Sequence, residues 1–406
     1  MLVAVLRRGE QAVTNRLVLG ATGLGNARGA TGKRVGIIIA RNYGAKNEDQ
    51  LRKSVAATAV IGNILSLFVI FIGAVGLYPM LQFLGTPSAI VAQSYLYIST
   101  IVNGVAVTFA YNLCAGLLRA VGDSLAALYF LIIAAILNIL LDLYFITQLH
   151  LGVQSAGIAT IIAQGISALL CLLYIRKKVP FLLPHRKDFV WDKELYQDLL
   201  SQGLAMGLMT SIVSIGTVIL QSAINQLGTT IISAQVAARR IMSFAVLPIT
   251  AIASSITTFI SQNFGAEQFQ RIKKGVTIAN LLSWVWSVLV AALLFFTSPS
   301  LTSFISGSTN PDLIANASLY LQISSCFYPI LASLIILRNA LQGMGKKLTP
   351  LTSSFIELFG KIFFVLWIIP HTGYMGVILC EPLIWIPMTL QLIIIYRKIR
   401  YQLLTE

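Results

Sequence analysis

A carboxylate inside an apolar stretch is the most informative residue of this sequence. Asp142 lies within the hydrophobic run 125–149, and Asn138 precedes it by four residues, so the two share one helix face. Inserting an ionisable group there costs roughly 2.5–3.5 kcal/mol, and such groups usually mark an ion or proton path. Carboxylate and amide oxygens suit hard cations such as Na⁺, and a carboxylate can also carry a proton. A simpler interpretation is a helix-end Asp bonded to its neighbours near the outer surface, because Leu149 follows seven residues later.

Other ionisable residues lie in the apolar runs of the second half. Glu357 and Lys361 are four residues apart and are predicted to neutralise each other on one helix, with substrate contact as the alternative. Glu381 comes four residues before a tryptophan, an arrangement that can hold a lipophilic cation, although a buried, protonated Glu fits equally well. Arg239 or Arg240 is expected to pair with an acidic residue across a cavity. Glu357, Glu381 and Arg239 are therefore candidate cavity residues.

Uncharged polar residues also occur in the runs. Tyr111 and Asn112 belong to a polar stripe, and Gln202 is similar; they are predicted to form hydrogen bonds between helices, with a cavity lining as the alternative. Catalysis has little support, because the sequence has no GxSxG and no P-loop, and the glycines at 20–25 lack a strand–helix context. We therefore predict a protein that is not an enzyme, has no cofactor, and draws any transport energy from an ion gradient.

The composition requires a membrane. Of the 406 residues, 57% are hydrophobic and only 11% are charged, whereas soluble domains carry about 25% charged residues. Ten long apolar runs are present, four before Arg176 and six after Leu195. The four cysteines and three histidines are scattered, which argues against a disulfide framework and a zinc site. The predicted class is an all-α integral membrane protein.

The net charge of +15 follows the topology of the runs. Basic residues cluster in every second gap between runs, as at 176–193, 271–274 and 397–400, and are missing from the others, as at 298–312. This is the positive-inside bias, and it predicts that the basic loops and the C-terminus lie in the cytoplasm. The charge therefore gives no reason to expect a nucleic-acid partner.

An internal repeat divides the chain into two halves. Ile-Ala-Arg-Asn-Tyr-Gly-Ala at 39–45 recurs as Ile-Ser-Gln-Asn-Phe-Gly-Ala at 260–266, 221 positions later, and both copies fall on the same side by the charge rule. Two parallel six-helix bundle repeats are therefore predicted, which is a transporter architecture. The predicted divisions are an atypical start 1–35, a first bundle 36–177, a linker 178–194, a second bundle 195–400 and a tail 401–406.

Three sets of motifs resemble those of the multidrug and toxic compound extrusion (MATE) family. They are the repeated motif above, the Leu-x-x-x-Gly-(Asp/Lys) pair at 118–123 and 341–346, and Asn-x-x-x-Asp-x-x-Phe at 138–145. The resemblance covers the chain from residue 36 to about 400. It implies a twelve-helix antiporter of the plasma membrane, monomeric, that expels organic and often cationic compounds in exchange for Na⁺ or H⁺.

The resemblance also implies the coupling site. Proteins of that family place an Asn and an Asp four apart on the fifth helix and a Thr on the sixth, where they bind the coupling cation together with an Asp of the first helix. Asn138, Asp142 and Thr160 match the first three positions. The repeat places Phe363 opposite Asp142, so the carboxylate belongs to the first half alone.

A lipid-linked oligosaccharide flippase of the same broader superfamily is the alternative. Such flippases usually line their cavity with several cationic residues for a pyrophosphate head group. Here the candidates are Arg239, Arg240, Arg338 and Lys361, and the first-half carboxylate fits a cation better. The expected partners are therefore small organic molecules and the lipid bilayer.

The beginning of the chain departs from the family pattern. The second half has 65 residues between Leu195 and Ile260, whereas 38 precede Ile39. Residues 1–35 are basic and glycine-rich, and they contain no apolar run of spanning length. We expect the first repeat to lack helix 1 and most of helix 2, and residues 1–35 to be a frameshifted or misread start.

Overall fold

The computed structural model describes residues 36–83, 88–149 and 154–405, whose regular elements are all helical. The predicted all-α class is thus confirmed, whereas the atypical start predicted for residues 1–35 lies outside the described residues. The helices, numbered in chain order, are α1 (36–44), α2 (Glu48–Phe83), α3 (Ser88–Asn103), α4 (Val105–Ala120), α5 (Ser124–Thr147), α6 (Gln154–Lys178), α7 (Lys193–Asn225), α8 (Thr229–Gly265), α9 (Phe269–Ser306), α10 (Pro311–Cys326), α11 (Tyr328–Gly343), α12 (Leu348–Phe363, continued by a π-helical turn Phe364–Ile368 and by Ile369–Thr372) and α13 (Tyr374–Thr405).

The described residues contain up to ten membrane spans, as the apolar runs predict. Eight are single helices, and two are helix pairs with a bend between them. Large hydrophobic side chains such as Phe71, Ile139 and Phe296 are exposed along these helices. A soluble protein of this size would cover such surfaces, so the exposure indicates contact with lipid.

The two bent spans differ from the continuous runs seen in the sequence. α3 and α4 meet at 46° around Gly104, and α10 and α11 meet at 58° around Phe327. A Cβ at Gly104 would lie 2.3 Å from the side chain of Ile161, so the missing side chain lets α6 approach the bend. In the second half, Pro329 lacks the N–H that would continue the helical hydrogen bonds. In both halves, the bent span is the second span after the repeated motif.

The backbone takes the same conformation at the end of both copies of the repeated motif. Lys46 and Glu267, 221 positions apart, are the non-glycine residues with positive φ among the described residues, at 55° and 58°. After each, the next backbone N–H donates back to a motif Asn carbonyl, to Asn42 at 3.1 Å and to Asn263 at 2.8 Å. Both copies of the motif therefore end their helix in the same left-handed turn.

A second pair of turns repeats in the same way. Gly122 and Gly345 have φ of 94° and 77°, a region that glycine enters without a Cβ penalty. The following N–H donates to Leu118 in the first half, at 2.9 Å, and to Leu341 in the second, at 3.0 Å. The glycines of the Leu-x-x-x-Gly motif therefore close the bent span of each half.

The chain divides into two compact units. The boundary lies between Gly203 and Leu204, inside α7. Each has its own hydrophobic core. Fully buried core residues include Ile39, Leu118 and Leu182 in the first unit and Leu220, Ile224, Tyr320, Tyr328 and Leu341 in the second. The last helix extends to Thr405, through most of the predicted tail.

Candidate functional site

Asn138 of α5 contacts Thr160 of α6, and Asp142 lies one helical turn from Asn138. The Asn138 side-chain amide donates to the Thr160 hydroxyl at 3.2 Å, and that hydroxyl donates to the Ala156 carbonyl at 2.8 Å. Asn138 and Asp142 lie one turn apart on α5, so the carboxylate shares the face that meets α6. The structure thus brings the three predicted cation ligands to one helix pair.

The Asp142 carboxylate has unused bonding capacity. Its Oδ1 is buried and has no hydrogen-bond partner among the described residues, and none of them forms an ion pair with it. A helix-end Asp bonded to its neighbours would show such partners. An unpartnered carboxylate inside a membrane span is costly unless a cation or a proton satisfies it. Because Asn138 and Thr160 supply further oxygens nearby, the group can offer several oxygen ligands to a small cation.

Four charged side chains form what we call the ionic cluster of the second unit: Arg239, Glu357, Lys361 and Glu381. Arg239 lies 3.1 Å from Glu381, and Lys361 lies 3.4 Å from Glu381 and 2.9 Å from Glu357. Lys361 is nearly fully buried, and Glu357 and Glu381 are largely buried. With two cations and two anions the cluster is neutral. It links α8, α12 and α13.

The ionic cluster revises the sequence interpretation of Glu381. The Glu357–Lys361 pair forms as predicted, and Arg239 finds the acidic partner expected for it. Glu381, however, contacts two cationic side chains, Arg239 and Lys361. It is therefore not an isolated acid beside a tryptophan. The Tyr320 hydroxyl also donates to it, at 3.4 Å. The pattern gave no signal for this tyrosine, because an aromatic residue in a span is more often a core or lipid-facing residue.

The remaining predicted cavity residues bond locally within the first unit. The Asn112 side chain donates to the Thr108 carbonyl of its own helix at 2.8 Å. Tyr111 is buried, and Gln202 donates to Asp198 at 3.4 Å. No hydrogen bond within the described ranges joins these three residues to Asn138, Asp142 or Thr160. The Asn112 and Gln202 hydrogen bonds lie within one helix, not between helices as predicted.

Metal-binding clusters were also sought in the described part of the chain. No group of three or more His, Cys, Asp or Glu side chains there could hold a metal ion. Cys114, Cys171 and Cys380 are buried free thiols, and Cys326 is exposed. The oxygen ligands around Asp142 therefore remain the candidate cation site.

The bent spans, the two repeated units and the intramembrane carboxylate define a multi-pass membrane transporter. A family model described as MatE matches residues 23–144 and 205–367, and the chain belongs to this family of transporters. The motif resemblance seen in the sequence is thereby confirmed.

Similar proteins are known in bacteria. The chain is 25% identical over 343 residues to the "Probable multidrug resistance protein YoeA" of Bacillus subtilis (strain 168), covering 82% of this chain and 73% of that protein. It is 28% identical over 320 residues to the "Probable multidrug resistance protein YpnP" of the same strain, covering 77% and 70%. A crystal structure of MATE in the straight conformation shares the fold, with a TM-score of 0.89, 19% identity, and coverage of 100% of this chain and 91% of that one.

Proposed function

We propose that this protein is a secondary active multidrug exporter that exchanges organic, often cationic compounds for Na⁺ or H⁺ by alternating access. The observation that carries the proposal is the buried, unpartnered Oδ1 of Asp142 beside Asn138 and Thr160. A site that binds a cation in one state and releases it in another supplies the differential affinity that an antiporter needs. The multidrug resistance names of the YoeA and YpnP relatives support the substrate class.

Transport by the purified protein tests the proposal. In proteoliposomes, ethidium movement is expected when an opposing Na⁺ or proton gradient is imposed, and none is expected with both gradients collapsed. The gradient that drives movement identifies the coupling ion. Ethidium movement that ignores both gradients, or no movement under either, would contradict coupled efflux.

Substrate contacts are proposed for the predicted cavity residues. The set is Glu357, Glu381, Arg239, Gln202, Tyr111 and Asn112. In the ionic cluster, the acidic side chains already neutralise Arg239 and Lys361. Free cationic groups for a pyrophosphate head are therefore scarce there, which favours drug efflux over lipid-linked oligosaccharide flipping.

The proposed orientation places the basic loops and the C-terminus in the cytoplasm of a plasma-membrane protein. Lys187→Cys should react with a membrane-impermeant thiol reagent only from the cytoplasmic side, and Ser308→Cys only from outside. A Cys326→Ser background removes the exposed native thiol, since the other three are buried. Labelling of both positions from the same side would overturn the proposed topology.

A further inference from the structure

Three consecutive apolar side chains are exposed in the linker between α6 and α7. Phe189, Val190 and Trp191 are 52%, 53% and 75% exposed. Trp191 is among the most exposed large hydrophobic side chains of the described residues. The linker belongs to no membrane span, so contact with the hydrocarbon core of the bilayer does not explain these side chains.

The residues before this triplet hold it against the first unit. Asp188 is 2% exposed; its carboxylate lies 3.6 Å from Arg52 of α2 and accepts the backbone N–H of His185 at 2.7 Å. Earlier in the linker, Leu182 is fully buried in the core of that unit. Phe189, Val190 and Trp191 therefore follow directly after a segment that packs against the first unit.

The residues after the triplet indicate where it lies along the axis of α7. The Trp191 ring lies 4.4 Å from the ring of Tyr196, in the first turn of α7. Leu200 and Leu204 follow Tyr196 at intervals of four residues, and both are exposed. With a rise of about 1.5 Å per residue, Tyr196 lies only about 6 Å along the helix from this apolar ridge. This short distance from an exposed apolar ridge is typical of residues at the head-group level, where tryptophan is enriched in membrane proteins.

Exposed cations flank the triplet along the chain. They lie at the end of α6, in the linker and at the start of α7: Arg176, Lys177, Lys178, Arg186, Lys187 and Lys193. None of them forms an ion pair within the part of the chain that the structure describes. Of the nearby acids, Glu48, Asp49 and Asp188 contact Arg52, and Asp192 accepts two backbone N–H groups at the start of α7. Residues 176–194 hold six Lys and Arg against three Asp and Glu. The net positive charge of this segment is therefore complementary to anionic head groups.

We propose that residues 186–193 form an interfacial anchor that binds anionic phospholipids. Phe189, Val190 and Trp191 insert at the boundary between head groups and acyl chains, while the surrounding lysines and arginines contact lipid phosphates. Under the topology proposed above, these lipids belong to the cytoplasmic leaflet, whose surface is negatively charged. The anchor holds the connection between the two halves of the chain at the membrane surface.

Fluorescence quenching by brominated lipids tests the anchor. Val190→Cys in the Cys326→Ser background is labelled with bimane and reconstituted into vesicles of brominated phosphatidylcholine and phosphatidylglycerol in equal parts. We expect emission at least about twofold lower than in unbrominated vesicles, because the side chain reaches the acyl boundary. Ala45→Cys, in an exposed turn of the same unit, is the matched control and should be quenched less. Equal quenching at the two positions, or none at Val190→Cys, would overturn the anchor.

The charge contribution is tested separately. Replacing phosphatidylglycerol by phosphatidylcholine should weaken quenching at position 190, and the added substitutions Arg186→Gln, Lys187→Gln and Lys193→Gln should abolish that lipid dependence. Inorganic phosphate should not restore it. Quenching at position 190 that is independent of anionic lipid would overturn the head-group assignment. Because these vesicles carry no ion gradient, the result is independent of whether the protein exports drugs.

Discussion

Asp142→Asn is expected to abolish gradient-driven efflux while the yield of folded protein stays unchanged. Asparagine keeps the shape of the side chain but can neither carry a negative charge nor take up a proton, so the coupling cation loses its central ligand. Because the buried Oδ1 of Asp142 has no partner among the described residues, the substitution breaks no ion pair within them. The measurement is ethidium movement in proteoliposomes under the gradient that drives the unmodified protein.

Asp123→Asn is the matched control for Asp142→Asn. Asp123 caps the same helix, α5, by accepting the Ala126 N–H at 3.1 Å, and asparagine is an equally good cap. This variant should therefore keep its efflux. Full efflux by Asp142→Asn would refute the cation site, and loss of efflux in both variants would assign the effect to the helix.

Asn138→Ala and Thr160→Ala extend the first prediction to the neighbouring ligands. Each removes one oxygen near a carboxylate that remains, so efflux should persist but need a higher Na⁺ or proton concentration for half-maximal rate. Efflux with an unchanged ion dependence in both variants would exclude them as ligands.

Glu381→Gln is expected to have the largest effect on stability. Glu381 contacts both Arg239 and Lys361, and the substitution leaves the ionic cluster with an excess positive charge inside the membrane. Removing one partner of a buried ion pair typically lowers the free energy of unfolding by about 3–5 kcal/mol. Thermal unfolding of the purified protein in detergent, followed by tryptophan fluorescence, measures the change.

A second substitution separates charge from packing in the ionic cluster. Combining Glu381→Gln with Lys361→Met restores neutrality at similar side-chain volume, so part of the lost stability should return. If Glu381→Gln unfolds at the temperature of the unmodified protein, the ionic cluster does not stabilise the second unit.

Much of the fold could be predicted because a bilayer restricts sequence so strongly. Each span needs a long apolar run, and each left-handed turn of the repeated Leu-x-x-x-Gly motif needs a residue such as Gly122. Both the runs and the repeats can therefore be recognised in the sequence. The bend at Gly104 was not predicted; the space that a side chain there would need is occupied by Ile161, which lies on another helix. Hydrophobic patterning reports the length of a run but not its straightness.

The two polar sites differ in how much the sequence reveals. Asn138 and Asp142 are four residues apart, so helical geometry alone places them on one face. Thr160 could be added only through the family resemblance. Arg239 and Glu381 are 142 residues apart, and no local pattern specifies which acid meets which base. Only the structure shows that Glu381 contacts both Arg239 and the Lys361 of the Glu357–Lys361 pair.

The bends at Gly104 and Phe327 have a mechanical consequence. A continuous α-helix acts as a stiff rod, so a displacement at one membrane surface is carried to the other. Each bent span is instead two short rods with a joint, where small backbone rotations can absorb movement. Because the joint occurs at the corresponding span of each half, each unit has a compliant point within the bilayer at which one end can tilt while the other keeps its packing.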